Sequence, residues 1–115
     1  MTMSTDCVFC QIAAGEQPAT IVYQNEQVMA FEDIHPAAPV HVLIIPRRHI
    51  TSLAHLQDGD AALMGEVIMA AAQVARLKGL TDFNLLANTG HGAGQRVFHL
   101  HFHLLAGRRL SWPPR

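Results

Sequence analysis

The sequence is poor in cysteine, in aromatic residues and in net charge, and no apolar run in it is long. Each shortage closes off a class of protein. Two cysteines, Cys7 and Cys10, form one C-x-x-C, too few and too close for the disulfide framework of a small secreted domain. A thioredoxin-like redox pair belongs in a βαβ unit, and nothing strand-like precedes Cys7. Half of a zinc site, or two unremarkable thiols, remain. A formal net charge of −1, with eight Lys and Arg residues spread thinly, leaves no basic footprint for a nucleic acid. No stretch approaches the ~18–20 apolar residues that span a bilayer. The opening "MTMSTDC" lacks the basic start and apolar core of a secretory signal. The expectation is a cytoplasmic protein with neither nucleic acid nor membrane as partner.

What the chain does have is apolar mass for one core, since half of its 115 residues are apolar. At this size folding buries somewhat over roughly 60% of the surface an unfolded chain exposes. One domain over residues 7–115 is expected, preceded by a disordered tail at 1–6. Cys7 to Ala14 reads as a short helix ended by Gly15 and Pro18. "TIVYQ" (Thr20–Gln24) and "VMAFED" (Val28–Asp33) read as a hairpin across Asn25-Glu26-Gln27. Pro36 and Pro39 make the next segment irregular. "HVLIIP" (His41–Pro46) is too apolar to alternate, which places it centrally in a sheet.

One long helix is expected from about Asp60 to Lys78, capped by Asp58 or Asp60 and followed by Gly79. Leu63, Val67, Ala70, Val74 and Leu77 mark one buried stripe. Met64, Ile68, Met69 and Ala71 lie off it, so a second apolar face favours contact with another subunit. "DFNLLAN" (Asp82–Asn88) and "FHLHFHLLA" (Phe98–Ala106) supply two more strands around the glycine-rich "TGHGAGQR". The tail "SWPPR" suits an extended polyproline conformation. Strands, one main helix and hairpin-length connections give an α+β fold on a largely antiparallel sheet.

The unusual feature is the last strand. Side chains alternate across a strand, so His99, His101 and His103 share one face, neighbours ~6–7 Å apart, while Leu100, Phe102 and Leu104 fill the other. Buried imidazoles need hydrogen-bond partners and resist charging, so a core gains nothing from three together. Two chemistries suit them. Imidazoles at i and i+2 can ligate zinc. Alternatively, a neutral ring whose one nitrogen donates its proton to a fixed acceptor presents a lone pair on the other, which can attack phosphorus. Gly90, Gly92 and Gly94 let a backbone approach an anion just before the histidines, and this favours the phosphate chemistry. No G-x-x-x-x-G-K-[ST] is present, so the loop is not a P-loop.

"HLHFHLLAG" resembles the H-φ-H-φ-H-φ-φ signature (φ apolar) of the histidine-triad superfamily, and the chain is most similar to its Hint branch, the nucleoside phosphoramidases. The resemblance extends through "CVFCQIAAGEQPATIVYQNEQVMAFEDIHPAAPVHVLIIPRRHI", "NTGHGAGQ" and "RLSWPP". It implies a five-stranded sheet with one long and one short helix, joined into ten strands across a homodimer. It implies too that His101 attacks the α-phosphorus of an adenosine or guanosine 5′-phosphoramidate, releasing an amine, and that water then frees the monophosphate. His103 would contact the phosphate and aid the leaving group, while His99 and His41 would support the nucleophile. Asn88, Gly94 and Gln95 would hold the phosphate, and Asp33 the ribose hydroxyls. Phe9, Ile12, Phe31, Ile34 and Leu43 would form the purine slot, and Trp112 would reach toward the partner subunit's site. His35, His55 and His91 carry no implied role and read as surface or loop residues.

Two departures bear on substrate and metal. Arg96 stands where animal members of the branch have serine near the leaving group, so it would grip an acidic leaving group or point to solvent. Catalysis by this route requires no cofactor. Some bacterial members hold a structural zinc with residues that here would be Cys7, Cys10, His49 and His99, and others lack it. The competing functional readings are an aminoacyl- or acyl-adenylate hydrolase with the same nucleophile, an AMP-binding regulator with little turnover, and a metal-dependent hydrolase.

Overall fold

The structure, a computed structural model, describes residues 7–111. The tail expected at 1–6 and the Trp112-Pro113-Pro114 segment lie outside the described residues. Helix α1 (Val8–Ala13) begins where the Cys7 thiol accepts from the Cys10 N–H at 3.2 Å, a cap made by sulfur. Strands β1 (Ile21–Gln24) and β2 (Val28–Glu32) form the expected hairpin. Its turn is set by Asn25, whose side-chain oxygen accepts from the N–H groups of Gln27 and Val28 at 2.8 and 2.9 Å.

Strand β3 (Val40–Pro46) occupies the centre of a five-stranded antiparallel sheet, as its apolar run implied. Beside it lies β5 (Phe102–Ala106), then β4 (Asn84–Leu86) at the edge. Both faces are covered near the middle. Val42 and Ile44 pack with Val28, Ala30 and Leu104 against Val67, Ala70, Ala71, Val74 and Ala75 of helix α2 (Ala61–Leu77). On the opposite face Leu43 and Ile45 meet Met29, Phe31, Phe9 and Ile12. The two helices therefore lie on opposite sides of one sheet, and α1 covers the face that carries His41 and His103.

Four expectations need correction. The buried stripe of α2 excludes Leu77, which is 57% exposed, and the half-buried Leu63, and includes Ala71 and Ala75. Second, Asp60 makes no side-chain cap on α2. Its carboxylate instead accepts from the Gln57 N–H and from Arg48, and these bonds, Arg48's first, hold its pKa below the usual carboxylate range. Third, β4 is shorter than the expected Asp82–Asn88.

The fourth correction concerns the histidines. The last strand starts at Phe102, so His99 and His101 precede it and His103 alone lies in it. The register that sets Phe102 opposite Ile44 would next place Leu100 opposite Pro46. Proline has no N–H to give. The Pro46 carbonyl accepts from the His99 ring, and the Leu100 N–H turns to Ile50 O. A side chain has taken the place of a ladder bond.

Candidate active site

Four imidazoles and their main-chain partners fix one another's protons. A carbonyl oxygen accepts and never donates, so the nitrogen facing it must carry hydrogen. His99 Nε2 lies 2.8 Å from Pro46 O and is therefore N–H, which leaves Nδ1 as a lone pair. His101 Nδ1 lies 2.7 Å from His99 O, so it is N–H and the lone pair sits on Nε2. His41 is set the opposite way round. The Ala37 N–H donates to its Nδ1 at 2.9 Å, so Nε2 holds the hydrogen and donates to His103 Nδ1 at 2.9 Å. His103 in its neutral form then presents an Nε2–H. Asp33 stands 3.4 Å from the same His41 nitrogen, with its other oxygen accepting from the His35 N–H at 2.7 Å.

Burial disfavours the charged form of His99, His101 and His103. Burial, ahead of any other cause, holds the His101 pKa below the ordinary histidine value, against the bond to His99 O that raises it. Burial pushes His103 down to about 4, helped by His101 and His41 beside it. His101 and His103 have ring centres 5.0 Å apart. The site thus pairs a nucleophilic nitrogen on His101 with a donor on its neighbour.

Phe9 of α1 closes one side. Its ring meets His101 edge-on, with centres 5.1 Å apart, and Phe31 at 5.4 Å. Ile12, Phe31 and Leu43 join it in one buried cluster. Ile34 does not: it is 84% exposed, carried outward by the bend after Asp33. Met29, Ile45 and the half-buried Val97 complete the apolar wall, and sequence reasoning did not single them out. Met29 and Ile45 share a sheet face with Phe31 and Leu43, two residues away in each strand, and that spacing was their signal.

The loop before the histidines is built differently from a simple anion cradle. Gly90 and Gly94 both have positive φ (87° and 92°), as their places on either side of a 3-10 turn (His91–Ala93) require. Gly92 does not. The N–H groups of Gly94 and Gln95 bond back to His91 O and Gly90 O. The buried Gln95 side chain accepts from the Gly90 N–H and donates to Thr51 O and Val97 O. Gln95 is consequently a brace for the loop. Asn88 donates one amide proton to Ala93 O and keeps a second. Arg96 is exposed, and His35, His55 and His91 are exposed as expected. His41 bonds to His103, whose ring neighbours that of His101.

Behind His99 lies a separate group. The ligand atoms of Cys7, Cys10, His49 and His99 all lie within 4.8 Å of one another. His99 Nδ1 is 3.3 Å from Cys7 Sγ and 3.5 Å from Cys10 Sγ, and His49 Nδ1 is 3.3 Å from Cys10 Sγ. Zinc–sulfur and zinc–nitrogen bonds at a tetrahedral angle set N and S roughly 3.5 Å apart. Two thiols and two imidazoles at these separations fit a zinc ion, and the His99 lone pair is already aimed at both thiols.

A sheet-centred α+β domain that offers one neutral imidazole nitrogen from a main-chain-locked ring defines a class: small domains built around a histidine cluster. Comparison with known proteins makes the class specific. The HIT domain model matches residues 14–110, and the chain belongs to that family. Protein HitA of Neisseria gonorrhoeae is 48% identical over 101 residues, 87% of this chain and 94% of that one. A crystal structure of a HIT family hydrolase from Legionella pneumophila is 43% identical and superposes with a TM-score of 0.91, covering 95% of this chain and 99% of that one. A hypothetical histidine triad nucleotide-binding protein from Sulfolobus tokodaii is 30% identical, with a TM-score of 0.76 over 88% of this chain and 68% of that one. Among the described residues no helix is long and apolar enough to cross a membrane.

Proposed function

We propose that the protein is a purine nucleoside phosphoramidase of the Hint type, a hydrolase acting through a nucleotidyl-histidine. The observation that carries this reading is the bond from His101 Nδ1–H to His99 O, which leaves Nε2 as a neutral nucleophile. Relatives described as a HIT family hydrolase and a nucleotide-binding protein support it.

In the first step His101 Nε2 attacks the α-phosphorus and the P–N bond breaks. Its electron pair stays on the nitrogen, which takes a proton from solvent and leaves as an amine. Water then attacks phosphorus, the Nε2–P bond breaks with its pair returning to the ring, and the water proton passes to solvent. His103 Nε2–H donates to a phosphate oxygen throughout, and His41 holds that ring's orientation. Asp33 accepts from the ribose, while Phe9, Ile12, Phe31 and Leu43 pack the purine.

A zinc ion at Cys7, Cys10, His49 and His99 would supply a closed structural crosslink and no open position for chemistry. The protein acts as a homodimer in this reading. Ile68 and Met69, 47% and 63% exposed on the outer face of α2, and the edge strand β4 support that assembly.

AMP and amine release from adenosine 5′-phosphoramidate tests the reading. Cleavage of an acyl-adenylate without cleavage of the phosphoramidate would replace it, and AMP binding with neither turnover would make the protein a regulator.

The pH profile follows from the burial of the rings. A lowered pKa keeps His101 unprotonated, and nucleophilic, at pH values where an ordinary histidine is half charged. The acid limb of kcat/KM is expected to have its midpoint below the ordinary value of about 6.5. A midpoint at or above that value would contradict the buried, neutral site. Stability has the same sign: from about 6.5 down to about 4 the unfolded chain binds a proton that folded His103 refuses, so the fold weakens as pH falls across that window.

A further inference from the structure

His99 is the junction between two sites. Its Nδ1 faces both thiols, its Nε2–H is tied to Pro46 O, and its own carbonyl holds the proton of His101. Helix α1 makes a second junction. Cys7 caps it and Cys10 lies in its first turn, with Phe9 between them on the wall against His101. The helix has six residues, well below the ~12–15 at which an isolated helix is marginally stable. Its far end is secured by Arg47, which donates to Ala13 O at 3.0 Å. Its near end meets the turn after β3 and the histidine segment through the cysteine–histidine cluster, and the sheet through the burial of Phe9.

We infer that a metal held by Cys7, Cys10, His49 and His99 is a positive effector of the nucleotide site, acting by seating α1 so that Phe9 and His101 are pre-positioned for the nucleotide. This inference rests on the nucleotide reading above and names a regulation of the same site. The four ligands come from three separate segments: α1, the turn after β3 and the histidine segment. Joining them limits the independent motion of the purine wall and of the ring that attacks. Ordering done by the metal need not be done again by the nucleotide, and a protein whose competent state is more populated binds more tightly. The coupling must be reciprocal.

The test uses the full chain, zinc-loaded and chelator-stripped, with AMP affinity measured by calorimetry. Zinc is expected to tighten AMP binding by about fivefold or more, and AMP to tighten zinc binding by the same factor. In Phe9→Ala the zinc site is kept and the coupling factor falls toward one. Equal AMP affinity with and without bound zinc would overturn the inference, as would failure of the wild type to bind zinc. A second readout needs no nucleotide: solvent exchange of the His101 Nδ1 proton, followed by NMR. If AMP binds neither form, the nucleotide reading fails by itself. The seating of the site is then judged on that proton, slowed exchange on zinc loading supporting it and unchanged exchange overturning it.

Discussion

Replacing His101 with alanine is expected to reduce phosphoramidate turnover by about 10⁴-fold or more, with AMP still bound. The size of the effect reflects the division of labour in the site. The apolar wall of Phe9, Ile12, Phe31 and Leu43 survives the substitution, and so does the His41–His103 pair. What disappears is the one ring whose Nδ1 proton is committed to a carbonyl and whose Nε2 is therefore free to bond with phosphorus. His103 cannot substitute, because its Nδ1 accepts from His41 and its other nitrogen carries the hydrogen. AMP release by the variant within tenfold of wild type would show that another group performs the displacement. A melting curve recorded beside the assay separates lost chemistry from a lost fold.

The largest expected loss of stability comes from the opposite face of the same sheet. Ile44→Ala should cost about 2–5 kcal/mol, read as a lowered urea midpoint at unchanged m. Ile44 is fully buried at the centre of β3, opposite Ala30 on one neighbouring strand and Phe102 on the other. Truncation leaves a void between the sheet and α2 that the alanines of the helix cannot fill. Against a total of about 5–15 kcal/mol for a domain, such a loss can leave much of the chain unfolded. Ile44→Val, which removes one methylene, should cost about 0.5–1.5 kcal/mol. Equal small losses from both variants would mean that the layer between sheet and α2 is not the main core.

Most of the scaffold was legible because it is written in local patterns. The Asn25 turn, the apolar run of β3 and the glycines after α1 and α2 each act within a few residues. The histidine face was legible as a cluster but not as a strand. Nothing local announces that His99 will take the Pro46 carbonyl, because that partner is a main-chain atom 53 residues away. The same holds for His41. Its tie to His103 joins residues 62 apart, and its tautomer is set by the N–H of Ala37, whose side chain carries no signal. Ile34 stands apart from the buried cluster for a related reason: its apolar character reports nothing about the bend that turns it outward. Gln95 resembles a ligand residue in sequence, but in the fold its side chain braces a loop.

The central claim is that His101 itself bonds to phosphorus, and stereochemistry tests it most directly. One diastereomer of an adenosine 5′-phosphoramidate made chiral with sulfur would be hydrolysed in ¹⁸O-labelled water and the configuration of the product determined. Two in-line displacements, first by His101 and then by water, predict overall retention at phosphorus. Inversion would mean a single direct attack by water, and the nucleotidyl-histidine would have to be given up.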